Sequence, residues 1–106
     1  MSLNASERRR TRDELAENFR RSGRTPTDVE RDLGISERDL DAVLAMDDDV
    51  HPATTWLVRD YLVAEVEAAG GEVFPFTSLT EQMRDAARGW FGIADLDDVR
   101  ARPATP

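Results

Sequence analysis

A chain of 106 residues with 40% hydrophobic and 34% charged residues is long enough for one modest core. It has no cysteine, no apolar run of membrane-span length and no signal-peptide pattern after Met1, which excludes a disulfide framework, thiolate metal sites and thiol nucleophiles and leads us to expect a cytoplasmic protein without a membrane anchor. A net charge of −8 argues against indiscriminate binding to nucleic acid or anionic lipid.

The charge is unevenly spread. Residues 1–24 carry seven arginines against four acids, residues 25–49 two against nine, and residues 50–106 five against nine. The chain therefore has a basic head and an acidic middle. All 14 basic residues are arginine, which points to compositional bias and weakens the case that any one arginine was selected for bidentate contacts.

Residues 5–21 read as a first helix, capped by Asn4 with Glu7 at the third position, with Leu15, Ala16 and Phe19 as its apolar contacts. Arg8, Arg9 and Arg10 oppose the macrodipole at this helix's N-terminus, so helix stability does not explain them. Thr25-Pro26 opens a second helix that stops at Gly34, and Ser36 caps a third that runs to about Met46. Val29 and Leu33 share one face; Leu40, Val43 and Leu44 share another; Gly34 supplies the positive φ that a tight turn between crossing helices needs. This spacing predicts a helix-turn-helix. Glu30 departs from that pattern, because the residue after Val29 is usually small where the two helices approach.

Asp47-Asp48-Asp49-Val50-His51-Pro52 reads as a loop. A fourth helix is expected to open at Thr54 or Thr55 and run to Gly70-Gly71, with apolar stripes wider than one face of a small domain needs. Trp56, Tyr61 and Val63 on it are candidates for a homodimer surface. Residues 72–77, with Pro75 forbidding helix, are short and extended, either a strand or a loop with Phe74 and Phe76 tucked inward. Ser78-x-x-Glu81 is a capping box for a fifth helix carrying Leu79, Met83, Ala86, Ala87 and Trp90. A single domain is expected over 1–92, followed by a loosely structured tail over 93–106.

The segments Met1-Ser-Leu-Asn4, Glu17-Asn-Phe19, Asp32-Leu-Gly34, Trp56-Leu-Val-Arg-Asp-Tyr-Leu62 and Pro75-Phe-Thr77 resemble a family of small bacterial proteins, domain of unknown function 2316. That resemblance implies no activity. The order of elements resembles the lambda-repressor-like architecture, an all-α, five-helix fold in which a helix-turn-helix often reads DNA.

No nucleophile motif, phosphate loop or cofactor motif is present, and His51 is the sole histidine, so no catalytic residue is assigned and the chain is expected not to be an enzyme. Asp47, Asp48, Asp49 and His51 have the chemistry of metal ligands but the spacing of no calcium loop, and we read them as a solvated acidic loop. The leading functional expectation is a transcription-regulator-like dimer contacting DNA through Arg8, Arg9, Arg10, Arg12 and Arg24 of the head with Ser36 and Arg38 of the third helix. The rival is a protein-interaction module using the acidic second and third helices. A third reading places a small ligand under Phe74 and Phe76.

Overall fold

In a computed structural model, residues 3–91 are described together with Leu96 and Val99. The architecture is all-α: α1 (Ala5–Ser22), α2 (Pro26–Leu33), α3 (Glu37–Leu44), α4 (Pro52–Ala68) and α5 (Glu81–Phe91), with no strand among the described residues. The expected tail lies outside the described residues except at Leu96 and Val99, which pack against the core.

Three helix starts follow their capping chemistry. Asn4 and Glu7 form a reciprocal box on α1, Thr25 and Asp28 do so on α2, and the Ser36 hydroxyl accepts from the Asp39 N–H at 3.1 Å on α3. The Thr25 N–H, more than any other group, holds the Asp28 carboxyl below its usual range. Gly34 ends α2 at φ 72°, and the three residues Gly34–Ser36 turn the chain into α3. Glu30 is exposed, so its side chain leaves the crossing rather than spreading it.

Two helix starts differ from expectation. α4 begins at Pro52, where His51 Nδ1 accepts the Ala53 N–H at 3.0 Å, so an imidazole does the capping expected of threonine. α5 begins at Glu81 with the Thr80 hydroxyl accepting from the Met83 N–H at 3.2 Å. Ser78 is not its cap.

The core gathers Leu15 of α1, Val29 and Leu33 of α2, Leu40 and Val43 of α3, Trp56, Val58, Tyr61 and Leu62 of α4, and Ala87 of α5. α4 lies against α1, α3 and α5 and is covered on almost every side, which explains its broad apolar surface. Arg59, Asp60 and Glu65 are buried on it as well.

α1 departs most from a simple apolar stripe. Its buried positions besides Leu15 are Thr11, Glu14, Asn18 and Ser22, and Ala16 is exposed. The reason is the segment 72–77, which lies along α1 and is held by polar groups. Asn18 Nδ2 donates to the Phe74 carbonyl at 2.9 Å and its Oδ1 accepts the Phe74 N–H at 2.8 Å. Glu14 accepts from the Thr77 N–H at 3.1 Å and from its hydroxyl at 2.8 Å. A segment that Pro75 keeps out of a helix must find partners for its backbone elsewhere, and α1 supplies them. Phe76 faces the core, whereas Phe74 is exposed, with Arg21 5.2 Å above its ring. The expectation that both rings tuck inward holds for Phe76 alone.

Candidate functional site

The arginine head is largely committed to internal contacts. Arg8 Nη2 donates to the Met46 carbonyl at 2.8 Å and pairs with Asp48, tying the start of α1 to the loop after α3. Arg20 and Arg21 both pair with Glu17, whose carboxyl they hold down at about 2, the Arg20 hydrogen bond being the larger cause. Arg24 reaches the buried Glu65 at 3.3 Å. Arg9, Arg10 and Arg12 are exposed and have no ion-pair partner among the described residues.

The outward face of α3 is acidic. Glu37, Arg38, Asp39 and Asp41 are exposed, and Asp47, Asp48 and Asp49 follow on the loop. The Ser36 hydroxyl serves as the cap. Arg38 borders a polar cleft of about 280 Å³ with Asp39, Asp47 and Asp49 on one side and His51 and Thr54 of the α4 start on the other. A second cleft of about 240 Å³ lies across the same loop, between α1 and α4, and includes Arg8 and Trp56. Asp47 and Val50 border both. The acidic loop therefore stands between Arg8 and Arg38, so these two arginines do not form one continuous cationic surface.

The loop carboxylates have local tasks. Asp47 Oδ1 accepts the Asp49 N–H at 2.9 Å, and Asp48 takes Arg8. Among the described residues no three histidine, cysteine or acidic side chains converge as a metal site. Met46 sits before them at φ 55°, a left-handed conformation in a residue that is not glycine.

The proposed dimer surface on α4 requires correction. Trp56 is 2% exposed and Tyr61 is 0% exposed within the single chain, so their burial needs no second copy, while Val63 is half-buried. Tyr61 donates to Asp32 Oδ2 at 2.7 Å, and burial, then this hydrogen bond, pushes its hydroxyl well above the usual tyrosine range. Of the two rings in the small-ligand reading, Phe76 carries the Arg59 guanidinium 5.3 Å from its centre and Phe74 carries Arg21.

Arg59 belongs to a buried network that periodicity did not reveal. Its Nε donates to the Leu79 carbonyl at 3.0 Å, and its Nη1 reaches Asp60 and Glu81, each at 3.0 Å. Asp60 also accepts from Arg84 Nε at 2.7 Å. Adjacent charges of opposite sign inside the apolar run from Trp56 to Leu62 were the available signal. Two charged residues side by side cannot both escape from a helix buried on most sides, so at least one needs a buried partner. The side chain of Trp90, expected on the apolar face of the fifth helix, lies outside the described residues.

No helix among the described residues is long and apolar enough to cross a membrane. Comparison with curated proteins and with solved structures found no match. Asn18, Asp32, Asp60, Tyr61 and Thr77, within the segments that carry the family likeness, take part in clipping 72–77 to α1, linking α2 to α4 and locking α4 to α5. Over residues 1–92 the chain matches domain of unknown function 2316, described as an uncharacterised protein conserved in bacteria, and it belongs to that family.

Proposed function

We propose that this chain is a cytoplasmic, non-enzymatic recognition module of helix-turn-helix type that docks a cationic protein surface on the acidic face of α2 and α3. The lambda-repressor-like reading rests on α2, the Gly34–Ser36 turn and α3, with their caps and shared apolar contacts. The observation that carries the function is the outward face of α3, where Arg38 stands alone among Glu37, Asp39 and Asp41. Such a face repels phosphates and attracts cations, and complementary charge steers encounter between proteins.

A labelled arginine-rich peptide and a random DNA duplex, each titrated over a range of salt, test this. The peptide binds, and the triple variant Glu37→Gln, Asp39→Asn, Asp41→Asn weakens it by about tenfold, as expected for losing one or two charge-assisted contacts. A control triple at the exposed Glu67, Glu72 and Asp85 leaves the affinity unchanged. Equal loss in both triples would reduce the effect to net charge and overturn the reading.

Contact with DNA is the second reading, favoured by the exposed and unpaired Arg9, Arg10 and Arg12. It predicts duplex binding that falls steeply with salt and disappears when these three are changed to Glu.

A further inference from the structure

The cleft between the start of α1, the α3–α4 loop and the start of α4 is separate from the outward face of α3. Its volume is about 240 Å³, smaller than the roughly 300–1,000 Å³ of drug-sized sites. Trp56 and Leu79, nearly fully buried, and the half-buried Val50 give it an apolar floor. At its mouth stand one guanidinium, Arg8, and two carboxylates, Asp47 and Asp48.

Arg8 uses Nη2 for the Met46 carbonyl and Asp48, so its Nη1 and Nε hydrogens remain for an acceptor. Asp47 uses Oδ1 for the Asp49 N–H, so its Oδ2 remains for a donor. Arg8 and Asp48 already pair with each other, so the groups still open in the cleft are the remaining Arg8 hydrogens and the second Asp47 oxygen, and a small molecule bearing both signs beside an apolar group meets both.

We propose that this cleft binds a free apolar α-amino acid. Its carboxylate lies on Arg8, its ammonium on Asp47 and Asp48, and its side chain on Trp56, Leu79 and Val50. Met46 adds a separate observation. Left-handed backbone is unfavourable for a residue with a Cβ, such strain gathers at ligand clamps, and the Met46 carbonyl is the one that holds Arg8 in place.

The test is an NMR titration read at the Trp56 indole N–H, assigned with Trp90→Phe, using L-leucine and L-phenylalanine against 3-phenylpropionate and phenethylamine. The amino acids give a saturable shift and bind at least about tenfold more tightly than either single-charge analogue, as loss of a charged hydrogen bond requires. Asp47→Asn retains an oxygen for the Asp49 N–H and Arg8→Gln retains a donor for Met46; each weakens binding by about tenfold or more, with the fold checked by circular dichroism. Absence of a saturable shift with both amino acids, an analogue that binds as tightly, or unchanged affinity in Asp47→Asn would each overturn the proposal.

Discussion

Two regions of this molecule are held by different forces. Around α2 and α3 the buried side chains are Val29, Leu33, Leu40 and Val43, and the polar groups that matter cap helix ends at the surface. Around the segment 72–84 the buried contacts are Glu14 and Asn18 on a loop backbone, and Arg59, Asp60 and Arg84 across α4 and α5. Apolar packing is tolerant of detail, because any side chain of suitable volume restores most of it. A buried polar network is not, because removing one member strands the others away from water.

Substitutions measure that contrast. Asp60→Ala removes the carboxylate shared by Arg59 and Arg84 and should cost about 3–5 kcal/mol of unfolding free energy in urea titration. Leu40→Ala, in the apolar region, should cost about 2–5 kcal/mol, while Leu40→Met should cost under about 1.5 kcal/mol. No similarly mild exchange should exist at Asp60: Asp60→Asn keeps the shape, loses the charge and should remain strongly destabilising. If Asp60→Asn were as mild as Leu40→Met, the contrast between the two regions would fail. Asn18→Ala should cost about 1–3 kcal/mol in thermal or urea unfolding, because both the N–H and the carbonyl of Phe74 lose their partner. Amide exchange should locate the loosening in residues 72–77 and leave α3 protected.

The smallest effect is one of pH. The folded-state pKa of Tyr61 is raised, so its contribution is fully present below the unfolded tyrosine value of about 10 and is lost as pH rises above it. The chain has one tyrosine and no lysine, so little else titrates there and the slope belongs to this residue. Tyr61→Phe should flatten the decline seen in urea midpoints measured across that range.

Function divides along the same line. The acidic face of α3 and the unpaired Arg9, Arg10 and Arg12 are surface features whose residues can be read directly along the chain. Commitment of Arg8 to Met46 and Asp48, and of Arg24 to Glu65, could not be read that way, since the partners are about 40 residues apart in the chain in each case. Those pairings engage two of the five head arginines expected to contact DNA.

By itself the sequence determined the five helices α1 to α5 of the described residues, the capped starts of the first three and the Gly34 turn. These depend on contacts within a few residues and on an apolar period that survives without knowledge of the partner. It also determined the family, through short local runs of residues. Tertiary structure alone decided that the broad apolar face of α4 is consumed within one chain, that α1 buries a polar face to hold a proline-containing loop, and that Arg59 and Asp60 are interior. The physical reason is that a buried polar side chain owes its place to partners remote in the chain. Periodicity records which side of a helix is apolar, but not which distant carbonyl or carboxylate waits on the other side.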